Sequence, residues 1–290
     1  MRQREFKGKS NPNPKATRNK LSGSGYSEKE TFRPRRKSTF PDKSKSTKIA
    51  GKEDLIRLNK FIASTGLCSR READKYISDG LIKINGKVIT ELGTQVAPKD
   101  EVKFGDQSLR REKLMYILLN KPKDFVTTTD DPKERKTVME LIKKAGTERV
   151  YPVGRLDKNT TGVLLLTNDG ALTTRLTHPK YKRKKIYHIF LNKPLTSNDM
   201  KQIAEGVELE DGIVQADKIS YVDIEDKSQV GMEIHSGKNR VIRRIFEQLG
   251  YIVVKLDRVW FAGLTKKSLK RGQWRYLSQK EIDFLKMGSN

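Results

Sequence analysis

The chain has 290 residues, with 61 Lys and Arg against 36 Asp and Glu, a formal net charge of +25 and 33% of its residues charged. That length allows one or two domains plus extensions, and the cationic excess favours polyanionic partners, nucleic acid ahead of membrane surfaces. A single cysteine, Cys68, excludes an internal disulfide framework and points to a reducing, cytoplasmic setting; with only His178, His188 and His235 beside it, no metal-ligand cluster of recognisable spacing exists.

Residues 1–52 hold 16 Lys and Arg against 4 Asp and Glu, among many Ser, Asn, Pro and Gly and almost no aliphatic residues. Such a segment buries too little apolar surface to offset its ordering entropy, so a disordered basic arm is predicted. No apolar run approaches the roughly 20 residues that cross a bilayer, and the amino terminus lacks the apolar core of a secretory signal. Scattered Pro and Gly also argue against an amphipathic transit helix, and no membrane partner is predicted.

The first patterned stretch covers residues 54–89. Leu55, Leu58 and Ile62 fall at helical spacing and Gly66 closes that helix. Ser69 and Glu72 then form an S-x-x-E capping-box pair, so a second helix starts at Arg70, buries Ala73 and Ile77, and stops at Gly80. "LIKI" and "KVI" flank Asn85-Gly86, the strongest short-range hairpin signal. Arg57, Arg70, Arg71 and Lys75 sit on the helical faces left free by the core, and Lys83 and Lys87 alternate with the apolar hairpin residues. A solvated face is the ordinary reading of such charges; a groove for phosphate is the sharper one.

"RLNKFIASTGLCSRREADKYISDGLIKINGKVI" resembles the alpha-L (S-four-like) RNA-binding motif, through "SRREA", the following Gly and the "NG" turn. The resemblance implies structured RNA as partner, with Arg70, Arg71 and Lys75 as its contacts. It places an RNA-binding domain at 53–108, followed by the polar stretch "GDQSLRREK".

From 113 to 286 a second domain is predicted. "YILLNKP" reads as a buried strand ended by Pro122, and "KKIYHIFLNKP" and "QVGMEIHSGKNR" as further strands, with helical patterns at 137–145, 171–177 and 239–249. Without the even alternation of parallel βαβ units, an α+β domain with a mixed, mostly antiparallel sheet fits best. In "GRLDKNTTGVLLLTNDG", residues 154–170, Val163 to Leu166 form a strand buried on both faces and "RLDKNTTG" an irregular approach to it. Asp157 is thereby held at the rim of the sheet. A loop acid usually caps backbone or pairs with a neighbour, here Arg155.

That segment resembles the second motif of the pseudouridine synthases, of the branch that acts on ribosomal RNA and carries the alpha-L module. "KRKKIYHIFL" is similar to the family's K-x-Y strand, placing Lys185 and Tyr187, and "SGKNRVIRR" to its third motif. Arg240 and Val241 depart from the polar pairs common there. The resemblance implies cofactor-free isomerisation of uridine, with Asp157 acting on the ribose either by covalent attack or by proton abstraction to a glycal. It implies Arg243 as charge partner of an ionised, partly buried Asp157, Tyr187 stacked on the uracil, and Ile242 on its other face. It also implies that Arg155 fills the gap left by the flipped nucleotide, and that the enzyme is a monomer. Similarity of "GKNRVIRR" favours large-subunit RNA. The competing reading is a non-catalytic RNA-binding ribosome-assembly factor.

Overall fold

The computed structural model describes residues 55–288, so the predicted basic arm lies outside the described residues. In the first module β1 (Ile56–Arg57) leads into α1 (Leu58–Ala63) and α2 (Arg70–Ser78). The hairpin β2 (Ile82–Ile84) and β3 (Lys87–Ile89) follows, then β4 (Gln95–Val96), β5 (Val102–Phe104) and β6 (Gln107–Ser108). The capping box forms as predicted: Ser69 Oγ accepts the Glu72 amide at 3.2 Å, and the Glu72 carboxylate accepts the Ser69 amide at 2.6 Å. Asn85 and Gly86 take φ of 49° and 82°, the left-handed pair that a two-residue hairpin turn needs. Leu58, Ile62, Ala73, Ile77, Ile82 and Val102 form the module's core.

Three expectations need correction here. Leu55 precedes α1 and is exposed, and Arg57 ends β1 instead of riding on a helix. The pairings Ile56↔Val96 and Arg57↔Gln95 keep the chain extended up to Leu58. The module is also more than two helices and a hairpin, because β5 and β6 extend the sheet to the order β3-β2-β5-β6. "GDQSLRREK" therefore contains strand β6 after a turn at Gly105 and Asp106, and Leu109 is buried in the module's core.

The second module is built on one mixed sheet. Its first half comprises β7 (Tyr116–Lys121), α3 (Val138–Leu141), β8 (Tyr151–Pro152), β9 (Thr160–Thr167), α4 (Gly170–Thr177) and β10 (Lys185–Leu191). Its second half adds α5 (Ser197–Glu205), β11 (Lys218–Tyr221), β12 (Gln229–Ile234), α6 (Val241–Gln248), β13 (Val253–Phe261), β14 (Leu264–Thr265), β15 (Trp274–Tyr276) and α7 (Gln279–Met287). Strand order is β11-β12-β10-β13-β9-β7-β15, with β14 on β13 and β8 on β9. Every pairing is antiparallel except β9 with β13. The α+β reading holds. The helix predicted over 137–145 shrinks to four residues.

Both faces of the central strands are covered. Along β7 and β9 successive side chains alternate between two cores: Ile117, Leu119, Leu164 and Leu166 pack with α5 and α6, while Leu118, Val163 and Leu165 pack with α4 and α7. At about 1.5–3 kcal/mol per buried aliphatic side chain, this double burial fixes the register of β9, since a one-residue slip exchanges every side chain between the faces.

β9 divides its second edge between two partners. Thr160, Thr161 and Gly162 pair with Leu256, Asp257 and Arg258 of β13, whereas Leu166 and Thr167 pair with Pro152 and Tyr151 of β8. Where β13 leaves β9, the Arg258 side chain fills the split and Nε donates to the Val163 carbonyl at 2.8 Å. Close approach there requires Gly162: its φ is +106°, and a Cβ at that position meets the Arg258 carbonyl oxygen at 2.1 Å. Gly162→Ala is expected to destabilise the chain by about 3 kcal/mol or more through combined backbone strain and overpacking. Thermal unfolding should show a midpoint lower by roughly 6–12 °C; an unchanged midpoint contradicts this role for the glycine.

Candidate active site

The split between β13 and β8 opens into a pocket of about 230 Å³. Its walls come from 153–157 ahead of β9, the end of α4, β10, the loop 237–240 with the start of α6, and β13. The volume lies below the roughly 300–1,000 Å³ of ordinary ligand pockets, which suits a single base and its sugar better than a dinucleotide. Among the lining residues Arg155, Lys185, Lys238, Arg240, Arg243 and Arg258 are cationic and Asp157 is the sole acid. Such a concentration of positive charge attracts a phosphate backbone.

Asp157 sits on a loop fixed from beneath. Lys121, at the end of β7, is fully buried, and its ammonium donates to the carbonyl oxygens of Pro122 (3.1 Å), Asp157 (3.1 Å), Lys158 (3.3 Å) and Thr160 (2.9 Å). The Asp124 amide donates to Lys158 O at 2.9 Å, and Thr127 Oγ1 donates to Leu156 O at 2.7 Å. Burial lowers the Lys121 ammonium to about 8, against the opposing pull of Asp157 and Asp124. The backbone of Asp157 is thus fastened, while its carboxylate is exposed and makes no hydrogen bond or ion pair among the described residues.

This geometry differs from the expectation of a partly buried acid paired with Arg243. Arg243 is half-buried and its Nη1 donates to Val253 O at 2.8 Å. Burial lowers its guanidinium, Arg240 pushes the same way, and Asp157 acts in opposition as a nearby charge without direct contact. The helix that carries Arg243 and Ile242 begins at Arg240, which takes a left-handed φ of 46°. Ile242 is buried with its neighbours in the α6 core and also lines the pocket. Arg155 is exposed at the rim.

Tyr187 reaches the pocket from β10, between β12 and β13. The β10–β13 register shifts at this point, from Ile186↔Trp260 to Tyr187↔Arg258, so Val259 is the extra residue of a bulge. Bulges re-aim side chains beside functional sites. Arg258 faces Tyr187 and is buried; desolvation lowers its guanidinium, while the tyrosine hydroxyl favours the charged form. Arg258 Nη2 and Thr160 Oγ1 have no hydrogen-bond partner among the described residues, and both residues line the pocket. Lys185, two residues before Tyr187, donates to His235 O at 2.9 Å and Ser236 O at 3.1 Å and so ties the third-motif loop to the sheet. Burial lowers its ammonium to about 8.

Sequence reasoning missed Lys121, Thr127, Thr160 and Arg258. A lysine closing the otherwise apolar "YILLNK" and an arginine inside "VVKLDRVWF" are both signals, because charged residues rarely enter buried strands unpaired. The RNA-facing candidates lie apart from this pocket. Arg70, Arg71 and Lys75 are exposed on α2, Lys87 is exposed on the hairpin, and Lys83 is half-buried with Asp106 at 3.4 Å. Among the described residues no group of three or more His, Cys, Asp and Glu side chains is placed to hold a metal ion, and no helix is long and apolar enough to cross a membrane.

A base-sized pocket ringed by cations around one unpaired carboxylate fits a nucleoside within a polyanion, and comparison with known proteins makes the class specific. Residues 115–248 match the family described as RNA pseudouridylate synthase, and residues 56–102 match the S4 domain. The chain belongs to the RNA pseudouridylate synthase family, whose members are isomerases. It is 38% identical to ribosomal large subunit pseudouridine synthase B of Bacillus subtilis, over 80% of this chain and 96% of that protein. It is 36% identical to the dual-specificity RNA pseudouridine synthase RluF of Escherichia coli, over 82% of this chain and 81% of that protein. A pseudouridylate synthase crystal structure matches with a TM-score of 0.58 and 33% identity, over 79% of this chain and 99% of that one.

Replacing Lys121 by Met removes the donor from four carbonyls, that of Thr160 buried, and releases the Asp157 loop. Urea unfolding at neutral pH is expected to show a loss of about 3 kcal/mol or more. Between pH 8 and 10.5 the folded protein binds fewer protons at this lysine than the unfolded chain does, so Lys121 makes stability rise with pH across that window. The Lys121→Met protein should lack that rise. A variant as stable as wild type, with the same pH profile, contradicts the arrangement.

Proposed function

We propose that this chain converts specific uridines of ribosomal RNA, of the large subunit, into pseudouridine, with Asp157 as the reacting acid. The observation that carries the reading is the single carboxylate in the pocket, free of partners while its backbone is clamped. Names of the relatives support ribosomal RNA as the substrate class. Substrate and product contain the same atoms, so the reaction needs no external oxidant, reductant or group donor.

In this reading the Asp157 carboxylate either attacks C1′ as the C1′–N1 bond breaks, or removes the C2′ proton to give a glycal. The bonding pair leaves with the uracil nitrogen in both routes. The detached ring turns and C5 bonds to C1′, as the Asp157–C1′ ester bond breaks in the first route or as Asp157 returns its proton to C2′ in the second. The C5 proton is then lost and N1 takes one up. Tyr187 stacks on the ring and its hydroxyl assists that loss, while Ile242 supports the opposite face. Arg243 supplies positive charge near Asp157 without a direct ion pair. Arg155 occupies the space vacated by the flipped nucleotide, whose extrusion costs roughly a few kcal/mol.

Residues 53–108 act as the RNA-binding domain, through Arg57, Arg70, Arg71, Lys75, Lys83 and Lys87, and residues 113–286 as the catalytic domain. The basic arm, 1–52, adds salt-dependent affinity. The reading takes the protein as a monomer. The work takes place in the cytoplasm, on RNA alone.

The test is complementation of cells lacking the gene with the Asp157→Asn protein. Pseudouridine at the target site is expected to be absent although RNA binding stays normal. Persistence of the modification would remove Asp157 from the reaction.

A further inference from the structure

A second cavity, of about 460 Å³ and twice the catalytic pocket, lies between the S4 module and the sheet domain. One wall is the end of α1 and the start of α2, with Lys60 and Arg70; the other is β8 and the first half of α4, with Arg149, Tyr151, Thr173 and Thr174. Its lining holds three cations and no acid, and most of its remaining members carry hydroxyls or an amide. Arg149 is balanced in part by Glu72, 4.0 Å away, and its amide donates to the Glu112 carboxylate at 3.0 Å. Lys60 has no ion pair among the described residues, and Arg70 only a long contact of 3.5 Å to Asn59 Oδ1.

Burial raises the Tyr151 hydroxyl, with Arg70 of the S4 module a small opposing charge, and burial raises the Cys68 thiol, with Arg149 of the sheet domain opposing it. The cleft and the catalytic pocket use neighbouring residues of α4. Thr173 and Thr174 line the cleft, whereas Leu176 and Thr177 line the uridine pocket. Three or four residues of helix separate them, about 5–6 Å along the axis. The segment 149–151 runs directly into 153–157, the wall that bears Asp157.

We propose that this cleft holds an unpaired nucleotide of the substrate RNA at a distance from the target uridine, its phosphate between Arg70 and Arg149 and its base beside Tyr151. The inference rests on the reading of the chain as an RNA-modifying isomerase. It gives the S4 module a second task, as half of a pocket that selects the sequence or looped shape of the site. Phosphate contact from two arginines supplies affinity, and insertion of a base requires that this nucleotide be unstacked.

The test uses the full-length protein and ribosomal RNA transcripts randomly substituted with 4-thiouridine. Irradiation should join RNA to peptides containing Tyr151 or residues 168–174. The Thr174→Trp protein, whose cleft is filled from an exposed helix position, should lose that crosslink and raise KM about tenfold with kcat unchanged. Arg149→Gln should raise KM similarly, and Arg149→Lys should restore most of it because the phosphate charge is kept. Wild-type KM in both Thr174→Trp and Arg149→Gln, or crosslinks that never map to the cleft, overturns the proposal. A protein that crosslinks through the cleft yet makes no pseudouridine leaves the cleft site standing and removes the isomerase reading.

Discussion

The buried ammonium of Lys121 is the contact on which the site depends. A lysine with no exposed surface is expensive unless its protons are used, and here they meet carbonyl oxygens of four residues, Asp157 and Lys158 in the loop and Thr160 where it enters β9 among them. The consequence is a division of labour within one residue. The backbone of Asp157 is locked to the interior, and its carboxylate is left without partners for the substrate. Pairing that carboxylate directly with an arginine would occupy the group proposed to react. The structure instead surrounds it with positive charge at a distance, from Lys121 below and Arg243 across the pocket.

The second constraint is the one parallel pairing in an otherwise antiparallel sheet. β9 and β13 meet over three residues and then separate, and only glycine at position 162 permits the approach. Separation creates the pocket, and Arg258 fills the gap without closing it. Segments distant in sequence meet there: the loop before β9, Tyr187 on β10, and the start of α6, tied down by Lys185. Next to this pocket the S4 module contributes one wall of a larger basic cleft.

Much of this was legible in the sequence, for physical reasons that differ by element. The fully apolar run of β9 reads as a doubly buried strand because both cores demand it, and Ser69 with Glu72 announces α2 because the box satisfies two orphan amides locally. The same signal at Ser278 and Glu281 starts α7, and Thr196 caps α5 through the Asp199 amide. Those helices were missed although their caps were readable. Arg57 was misplaced because its strand exists only through pairing with residues almost 40 positions later. Asp157 and Arg243 come together as nearby charges without a direct ion pair, because which acceptor an arginine finds is a tertiary fact and the Val253 carbonyl accepts from it. Lys121 escaped notice because a lysine at a strand end ordinarily points to solvent.

The central claim, that this pocket isomerises uridine in ribosomal RNA, is met most directly by mapping pseudouridine across total RNA from otherwise identical cells with and without the gene. The account expects one or a few uridines of the large-subunit RNA to lose the modification in the deletion strain and to regain it with the wild-type chain. Identical maps from the two strains, or a loss confined to RNA outside the ribosome, would contradict it.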